Sequence, residues 1–142
     1  MLLGAHVSIA GGLRNAPARA AEIDATAIQI FTKQANRWAD PVLDPEEVAA
    51  FRVGLADAGV GFVCAHDSYL INLATPDPVL RDRSYASFRA ELERCRTLGL
   101  DATQAAALRL DQHHSVGRLH AVDALIRRAS ELVKPDHLPC AR

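Results

Sequence analysis

The first hundred residues alternate short apolar runs with stretches patterned like helices, and this alternation restricts the fold more than any other feature. The apolar runs predict buried strands at Leu2–Val7, Ala27–Phe31 and Gly61–Ala65. The stretches between them predict helices. A strand-helix repeat of this kind favours an α/β fold with a parallel sheet, either open or closed as a barrel.

The predicted helices follow the strands in order along the chain. The first is rich in alanine and covers Leu13–Ile23. The second begins after an N-cap at Asp44, with proline and two acids in its first turn, and runs to about Ala58. The third covers Pro78–Leu98 and ends at Gly99, a residue type that commonly terminates helices.

The pattern changes after Leu100. No aromatic residue follows Phe88, and four of the six histidines lie in the last 42 residues. Residues 102–110 and 122–133 predict helices, and no fourth strand is recognisable. We therefore predict a partial barrel unit over residues 1–100 and a divergent tail over 101–142. A shifted reading frame of GC-rich DNA or an internal deletion would each produce such a tail.

Composition restricts the class of protein only loosely. The net charge of −1 argues against a strongly basic nucleic-acid binder, but it permits an enzyme that holds DNA with a local patch. No apolar run is long enough for a membrane span, and the N-terminus lacks a signal-peptide pattern, so we expect a cytoplasmic protein. Three cysteines without a Cys-x-x-Cys motif predict free thiols.

Polar segments follow the first two predicted strands, at the sheet edge where parallel α/β folds carry their sites. His6 lies where the first predicted strand gives way to its helix. A structural role and a functional role for this histidine are equally plausible. Thr32–Trp38 follows the second predicted strand and combines two cations, two amides and an aromatic ring. That set suits phosphate contacts and stacking on a base. A solvated loop with Trp38 packed against the core is the more ordinary interpretation.

The segment after the third predicted strand begins with His66. Neutral imidazole is the commonest protein ligand for zinc, and a histidine here faces the mouth of the fold. Tyr69 and Leu70 lie on the same loop, where bulky side chains can wedge into a duplex. A buried loop with Tyr69 and Leu70 in the core is the alternative. Further along, Asp111 and His113 form an Asp-x-His pair that can bind metal, although a solvated turn is simpler.

Taken together, these motifs resemble the deoxyribonuclease IV (endonuclease IV) family of zinc-dependent apurinic/apyrimidinic endonucleases. The resemblance covers residues 3–100. It rests on Gly-Ala-His-Val-Ser at 4–8, Ala-Gly-Gly-Leu at 10–13, Phe-Thr-Lys at 31–33 and, most specifically, His-Asp-Ser-Tyr-Leu-Ile-Asn-Leu at 66–73. It implies the N-terminal portion of a (β/α)8 TIM barrel of the xylose isomerase-like type, incomplete in this chain.

The resemblance also implies contacts with DNA. Tyr69 and Leu70 correspond to a loop that enters the minor groove and helps to hold the abasic nucleotide out of the stack. Asn36 and Arg37 correspond to a loop that penetrates the DNA. The expected partner is therefore DNA that contains abasic sites, and no membrane partner is expected.

The metal chemistry is implied in the same way. His66 corresponds to a ligand of a trinuclear zinc cluster, and Asp111 and His113 match a block that carries two ligands of one zinc ion. The implied reaction is hydrolysis of the phosphodiester 5′ to an abasic site. Most of the cluster's ligands have no counterpart in this sequence, so we assign no catalytic residue and expect a truncated, weakly active or inactive chain.

Two other functions stay open. The first is a non-catalytic remnant that binds DNA or zinc and self-associates through open sheet edges. The second is a fragment of a sugar isomerase-like barrel, which also places metal at strand ends. The segment from His66 to Leu73 fits DNA better than it fits a sugar.

Overall fold

A parallel four-stranded sheet with three connecting helices organises residues 1–104, the part of the chain that the computed structural model describes. The strands lie side by side in chain order, as β1 (Gly4–His6), β2 (Ala27–Phe31), β3 (Phe62–His66) and β4 (Ala102–Gln104). The helices that connect them are α1 (Asn15–Ala21), α2 (Pro45–Asp57) and α3 (Pro78–Leu98). Successive strand-helix units with neighbouring strands form a segment of a (β/α) barrel.

The predicted ends of the two longer helices are confirmed. The Asp44 side chain accepts a hydrogen bond from the Glu46 main-chain nitrogen at 3.0 Å and so caps α2. Asp77 caps α3 in the same way. Gly99 ends α3 with φ at 73°, a left-handed conformation that side-chain-bearing residues rarely adopt. The first strand and the first helix are both shorter than predicted.

The fourth strand corrects the sequence analysis, which predicted no fourth strand and a helix from residue 102. Asp101 guides the chain onto the edge of β3. Its main-chain nitrogen donates to the Val63 carbonyl at 3.0 Å, and its carboxylate accepts from the Val63 nitrogen at 2.8 Å. The strand is three residues long and has no apolar run, so pairing with β3 defines it. Residues 105–110 lie outside the described residues, and the predicted domain boundary at residue 100 stays a prediction.

The two faces of the sheet have different environments. One face packs against the helices, and its buried residues are Ile28, Ile30, Val63 and Ala65. Helix residues such as Phe51, Cys95 and Leu98 complete this core. The opposite face carries half-buried and exposed side chains, namely His6, Gln29, Phe31, Cys64 and His66. That face corresponds to the interior side of a barrel, and its upper edge carries the candidate site.

A second, smaller cluster lies beneath the loop that joins β3 to α3. Its buried members are Ile71, Leu73, Phe88 and Leu92. This cluster anchors the loop to α3 and so fixes the segment that follows His66. None of the helices within residues 1–104 has the length and apolar character needed to cross a bilayer.

Candidate nucleic-acid interface and metal ligand

Four rings gather at the carboxyl edge of the sheet. Three of them belong to the last residues of β1, β2 and β3, and the fourth is that of Tyr69 in the loop after β3. The Phe31 ring contacts both histidines, with its centroid 4.9 Å from that of His6 and 4.7 Å from that of His66. Tyr69 contacts this group edge-on, 5.4 Å from Phe31 and 5.5 Å from His66. Tilted and edge-on pairs of this kind contribute about 0.5–1.5 kcal/mol each, so the cluster orients the rings that it contains.

The hydrogen bond of His66 indicates which of its ring nitrogens is free to bind a metal. Its Nδ1 lies 2.7 Å from the main-chain oxygen of Asp67. A carbonyl oxygen only accepts, so Nδ1 carries the hydrogen and the neutral ring has its lone pair on Nε2. Metal-binding histidines commonly have this arrangement, with the second ring nitrogen donating to a carbonyl. His66 therefore fits the role of a zinc ligand through Nε2. It is the last residue of β3, whereas the sequence analysis placed it just after the strand.

A second imidazole lies beside His66. The His6 and His66 ring centroids are 5.8 Å apart, and His6 Nδ1 lies 3.1 Å from the side-chain oxygen of Gln29. Within residues 1–104, no group of three or more histidine, cysteine or carboxylate side chains is placed to hold a metal ion. The described residues thus form no complete metal site. Asp111 and His113, the other predicted ligands, lie outside the described residues.

The two loops predicted to contact DNA are joined at a single main-chain oxygen. The carbonyl of Ala35, in the loop from β2 to α2, accepts two hydrogen bonds from the loop between β3 and α3. One comes from the Tyr69 main-chain nitrogen at 2.9 Å and the other from the Ser68 hydroxyl at 2.7 Å. The fold therefore brings together segments that lie more than thirty residues apart in the sequence.

The predicted DNA-contacting side chains differ in exposure. Asn36 and Arg37 are exposed, and Tyr69 retains 69% of its accessible surface. Leu70 is half-buried, and its main-chain nitrogen donates to the Ser68 hydroxyl at 3.4 Å. Three of the four side chains are thus exposed, and they lie on two loops that are in contact with each other.

Trp38 packs against the core. This is the more ordinary of the two roles that the sequence permitted, the other being stacking on a base. It is half-buried and packs against the small cluster that contains Phe88. The guanidinium carbon of Arg83 lies 4.4 Å from the Trp38 ring centroid, a cation–π contact. The interpretation that Trp38 packs against the core is therefore confirmed.

A set of paired charges, buried except for Asp40, lies beneath the loop from β2 to α2, and it was not predicted from the sequence. Lys33 Nζ donates to Asp40 Oδ1 at 2.8 Å, and an Arg94 nitrogen donates to the same oxygen at 2.8 Å. Burial opposes ionisation of Asp40, but the hydrogen bond from Lys33 and the positive charge of Arg94 outweigh it. The pKa of Asp40 consequently lies below its ordinary value.

Glu91 completes this charged set from within α3. Its carboxylate is fully buried and accepts from Arg94 at 2.6 Å and from the Thr32 hydroxyl. Arg94 also donates to the Thr32 hydroxyl at 3.0 Å. The sequence contains a signal for this set of charges. Glu91 and Arg94 occur among the apolar residues of the buried face of α3, where charged side chains require partners.

A family model described as the xylose isomerase-like TIM barrel matches residues 17–136. This chain belongs to the xylose isomerase-like TIM barrel family. The α/β fold class predicted from the strand-helix repeat is therefore confirmed. The family's fold also accounts for the exposed sheet face, since in a barrel that face lines the interior.

Curated relatives of this TIM-barrel chain bear the name probable endonuclease 4. The protein of Chlorobium luteolum is 50% identical over 101 residues, which are 70% of this chain and 36% of the relative. The protein of Geobacter sulfurreducens is 48% identical over 98 residues, which are 69% of this chain and 33% of the relative. The chain spans about a third of the length of these relatives. The resemblance to endonuclease IV is confirmed.

Solved structures agree with this assignment to the xylose isomerase-like TIM barrels. Endonuclease IV from Thermus thermophilus superposes with a TM-score of 0.71 and 31% identity, covering 89% of this chain and 46% of that chain. A D-psicose 3-epimerase superposes with a TM-score of 0.66 over 94% of this chain and 50% of its own length, at 17% identity. The likeness to the epimerase shows the shared fold alone.

Proposed function

We propose that this chain belongs to the DNA-contacting region of a zinc-dependent endonuclease that hydrolyses the phosphodiester 5′ to abasic sites. The observation that carries the proposal is the joining of two loops at the Ala35 carbonyl, beside the ring cluster that contains His66. The names of the curated relatives support an endonuclease. The expected setting is DNA repair in the cytoplasm.

Arg37 and Tyr69 would recognise the damaged duplex by different means. Arg37 presents an exposed guanidinium, whose planar donors match phosphate oxygens. Tyr69 is exposed, but its ring is oriented edge-on by Phe31 and His66. It can therefore enter a duplex as an oriented wedge. Insertion is easiest where a base is missing, because less stacking has to be broken.

His66 would hold one zinc ion through Nε2, with Asp111 and His113 as the other ligands proposed in this chain. Zinc, when bound, supplies a Lewis acid for the phosphate and lowers the pKa of a bound water. The Asp67 carbonyl fixes the orientation of the His66 ring, so the ligand nitrogen needs little reorganisation on binding.

A non-catalytic protein that binds DNA or zinc is the second candidate. It is considered because most of the zinc ligands that the family resemblance implies have no counterpart in this sequence. A nicking assay on an abasic-site duplex with added zinc separates the two. Turnover that disappears in His66→Ala supports the enzyme. Absence of cleavage together with selective binding of the abasic duplex supports the non-catalytic candidate.

Binding to DNA is the primary test of the proposal. Fluorescence anisotropy would compare a duplex that contains a tetrahydrofuran abasic analogue with the intact duplex. We expect the chain to prefer the abasic duplex. Tyr69→Ala should reduce this preference on the order of tenfold, because stacking on an aromatic ring is worth about 1–3 kcal/mol.

Two variants serve as controls for that experiment. Tyr69→Phe keeps the ring and should keep the preference for the abasic duplex. Arg37→Ala should weaken binding to both duplexes alike. It should also lower the slope of log affinity against log salt concentration by about the amount expected for one phosphate contact. Equal binding of the two duplexes by the unmodified chain, or no binding to either, would contradict the proposed function.

A further inference from the structure

We infer that Lys33, Asp40 and Arg94 are positioning residues that hold the loop over residues 34–38 in the conformation that contacts DNA. The effect that this inference predicts on DNA binding rests on the proposed function. The effect on the loop itself does not, since it follows from contacts within the chain. The three residues lie beneath the loop, and none of them belongs to the surface proposed to touch DNA.

Lys33 fixes both ends of the segment that contains the loop. It directly precedes the loop, and its Nζ donates to the Trp38 carbonyl at 3.3 Å and to Asp40 Oδ1 at 2.8 Å. The same nitrogen donates to the Ser87 hydroxyl of α3 at 2.9 Å. One ammonium group therefore closes the loop on itself and attaches it to the helix behind it.

Asp40 is shared by two buried cations. The side chains of Lys33 and Arg94 are 2% and 6% exposed, whereas that of Asp40 is 36% exposed. Arg94 also pairs with Glu91, but Asp40 is the carboxylate that pairs with Lys33 within residues 1–104. Burying a cation without an opposite charge is strongly unfavourable. Removing the Asp40 charge should therefore displace Lys33 and release the loop that it closes.

Displacement of the loop reaches the second DNA-contacting loop as well. The Ala35 carbonyl accepts from both Ser68 and Tyr69, so movement of residue 35 removes the acceptor that holds Tyr69. Both predicted contact loops thus depend on the buried charges. The sequence separation of 54 residues between Asp40 and Arg94 explains why no local pattern revealed this.

Trp38 provides a direct measurement of the loop, because it is the only tryptophan in the chain. In Asp40→Asn, which keeps the side-chain size and removes the charge, we expect red-shifted Trp38 emission and stronger quenching by acrylamide. We also expect severalfold weaker binding to the abasic duplex. Asp57→Asn is the matched control, since Asp57 is exposed at the end of α2 and should leave emission, quenching and binding unchanged.

Two further variants keep the test decisive. Ser87→Ala removes one acceptor of Lys33 without removing a charge, so it should give a smaller change of the same sign even if Asp40→Asn fails to fold. Asp40→Glu keeps the negative charge, so its Trp38 emission should lie closer to that of the unmodified chain than the emission of Asp40→Asn does. Wild-type emission and quenching in both Asp40→Asn and Ser87→Ala would overturn the inference, whatever the DNA result. Altered emission in a chain whose unmodified form binds no DNA would support the positioning role and overturn only the proposed function.

Discussion

His66 shows how a single main-chain contact defines the chemistry of a side chain. The Asp67 carbonyl engages Nδ1 and leaves Nε2 as the nitrogen that can bind a metal. The Nδ1 of His6 faces the side-chain oxygen of Gln29, and because an amide group can rotate to offer its nitrogen instead, this contact defines the His6 tautomer less strictly. Of the two neighbouring histidines, His66 therefore has the more strictly defined nitrogen for binding a metal.

The zinc affinity of the chain should therefore depend on His66. We expect His66→Gln to lower the affinity by at least about tenfold, because even the loss of a group that supports a ligand costs about 10–100-fold. Competition with a chromogenic chelator near neutral pH measures the effect. The matched control is His6→Gln, which should have a smaller effect. Unchanged affinity in His66→Gln would rule out the ligand role, and equal losses in the two variants would make His6 a second ligand.

At this scale the sequence identified single residues better than their partners. The position of His66 at a strand end and the polar character of the loop with Arg37 were visible in local patterns. The contact of Phe31 with His66 depends on the register between β2 and β3, in which these residues are paired. Register is set by packing across the sheet, so the sequence does not predict the contact between Phe31 and His66.

Among the elements, α3 links the two parts of the candidate site, since it carries Glu91 and Arg94 and supports the small apolar cluster. Its sharp end at Gly99 directs the chain back toward β4. A methyl group at Gly99 would meet Arg52 only at an ordinary distance of 3.5 Å. The requirement for glycine therefore comes from the backbone conformation and not from crowding.

Gly99→Ala should lower the free energy of unfolding by about 1 kcal/mol, the cost of a left-handed conformation for a residue with a side chain. Urea denaturation followed by circular dichroism measures it. Gly61→Ala is the matched control. Its added methyl would also make only ordinary contacts, at 3.8 Å or more, and the backbone there is not left-handed. A loss in Gly61→Ala equal to that in Gly99→Ala would contradict the explanation.

The elements also show where prediction from sequence reaches its limit. Helices α2 and α3 have capping residues, Asp44, Asp77 and Gly99, that act within a few positions of the helix ends, and their bounds were predictable. Strand β4 has no such local signal. Its three residues are held by the edge of β3 and by Asp101, and such a tertiary contact leaves no periodic pattern in the sequence.

For the molecule as a whole, two paired carboxylates make stability depend on pH. The folded-state pKa of Asp40 is lowered, so its contribution is complete above the unfolded value of about 3.9 and is lost as the pH falls through the lower folded value. The pKa of Glu47 is lowered too, chiefly by the hydrogen bond from the Arg14 main-chain nitrogen. Both groups act in the same direction, toward lower stability in acid.

Urea unfolding between about pH 7 and about pH 3 should therefore show a decreasing midpoint, and the decrease should be smaller in Asp40→Asn, which has no carboxyl to protonate. Trp38 emission and circular dichroism report the loop and the helices separately. The control is Asp57→Asn, which should retain the full decrease. An Asp40→Asn profile that parallels the unmodified chain would contradict the role given to Asp40.

Self-association through open sheet edges also belongs to this scale and stays a prediction. Within residues 1–104, β1 and β4 are the outer strands of the sheet, and outer strands present unpaired main-chain groups to other chains. The strand-helix repeat alone left the order of the strands open, whereas the resemblance to a TIM barrel implied that consecutive strands are neighbours.

The Ala35 carbonyl has a consequence for how this protein can vary. Because the acceptor is a main-chain atom, replacing the alanine by another residue leaves the oxygen in place. Adding or removing one residue between Phe31 and Ala35 would instead move that oxygen away from both donors. The number of residues in the first loop, rather than their identity at position 35, is what keeps the two loops together.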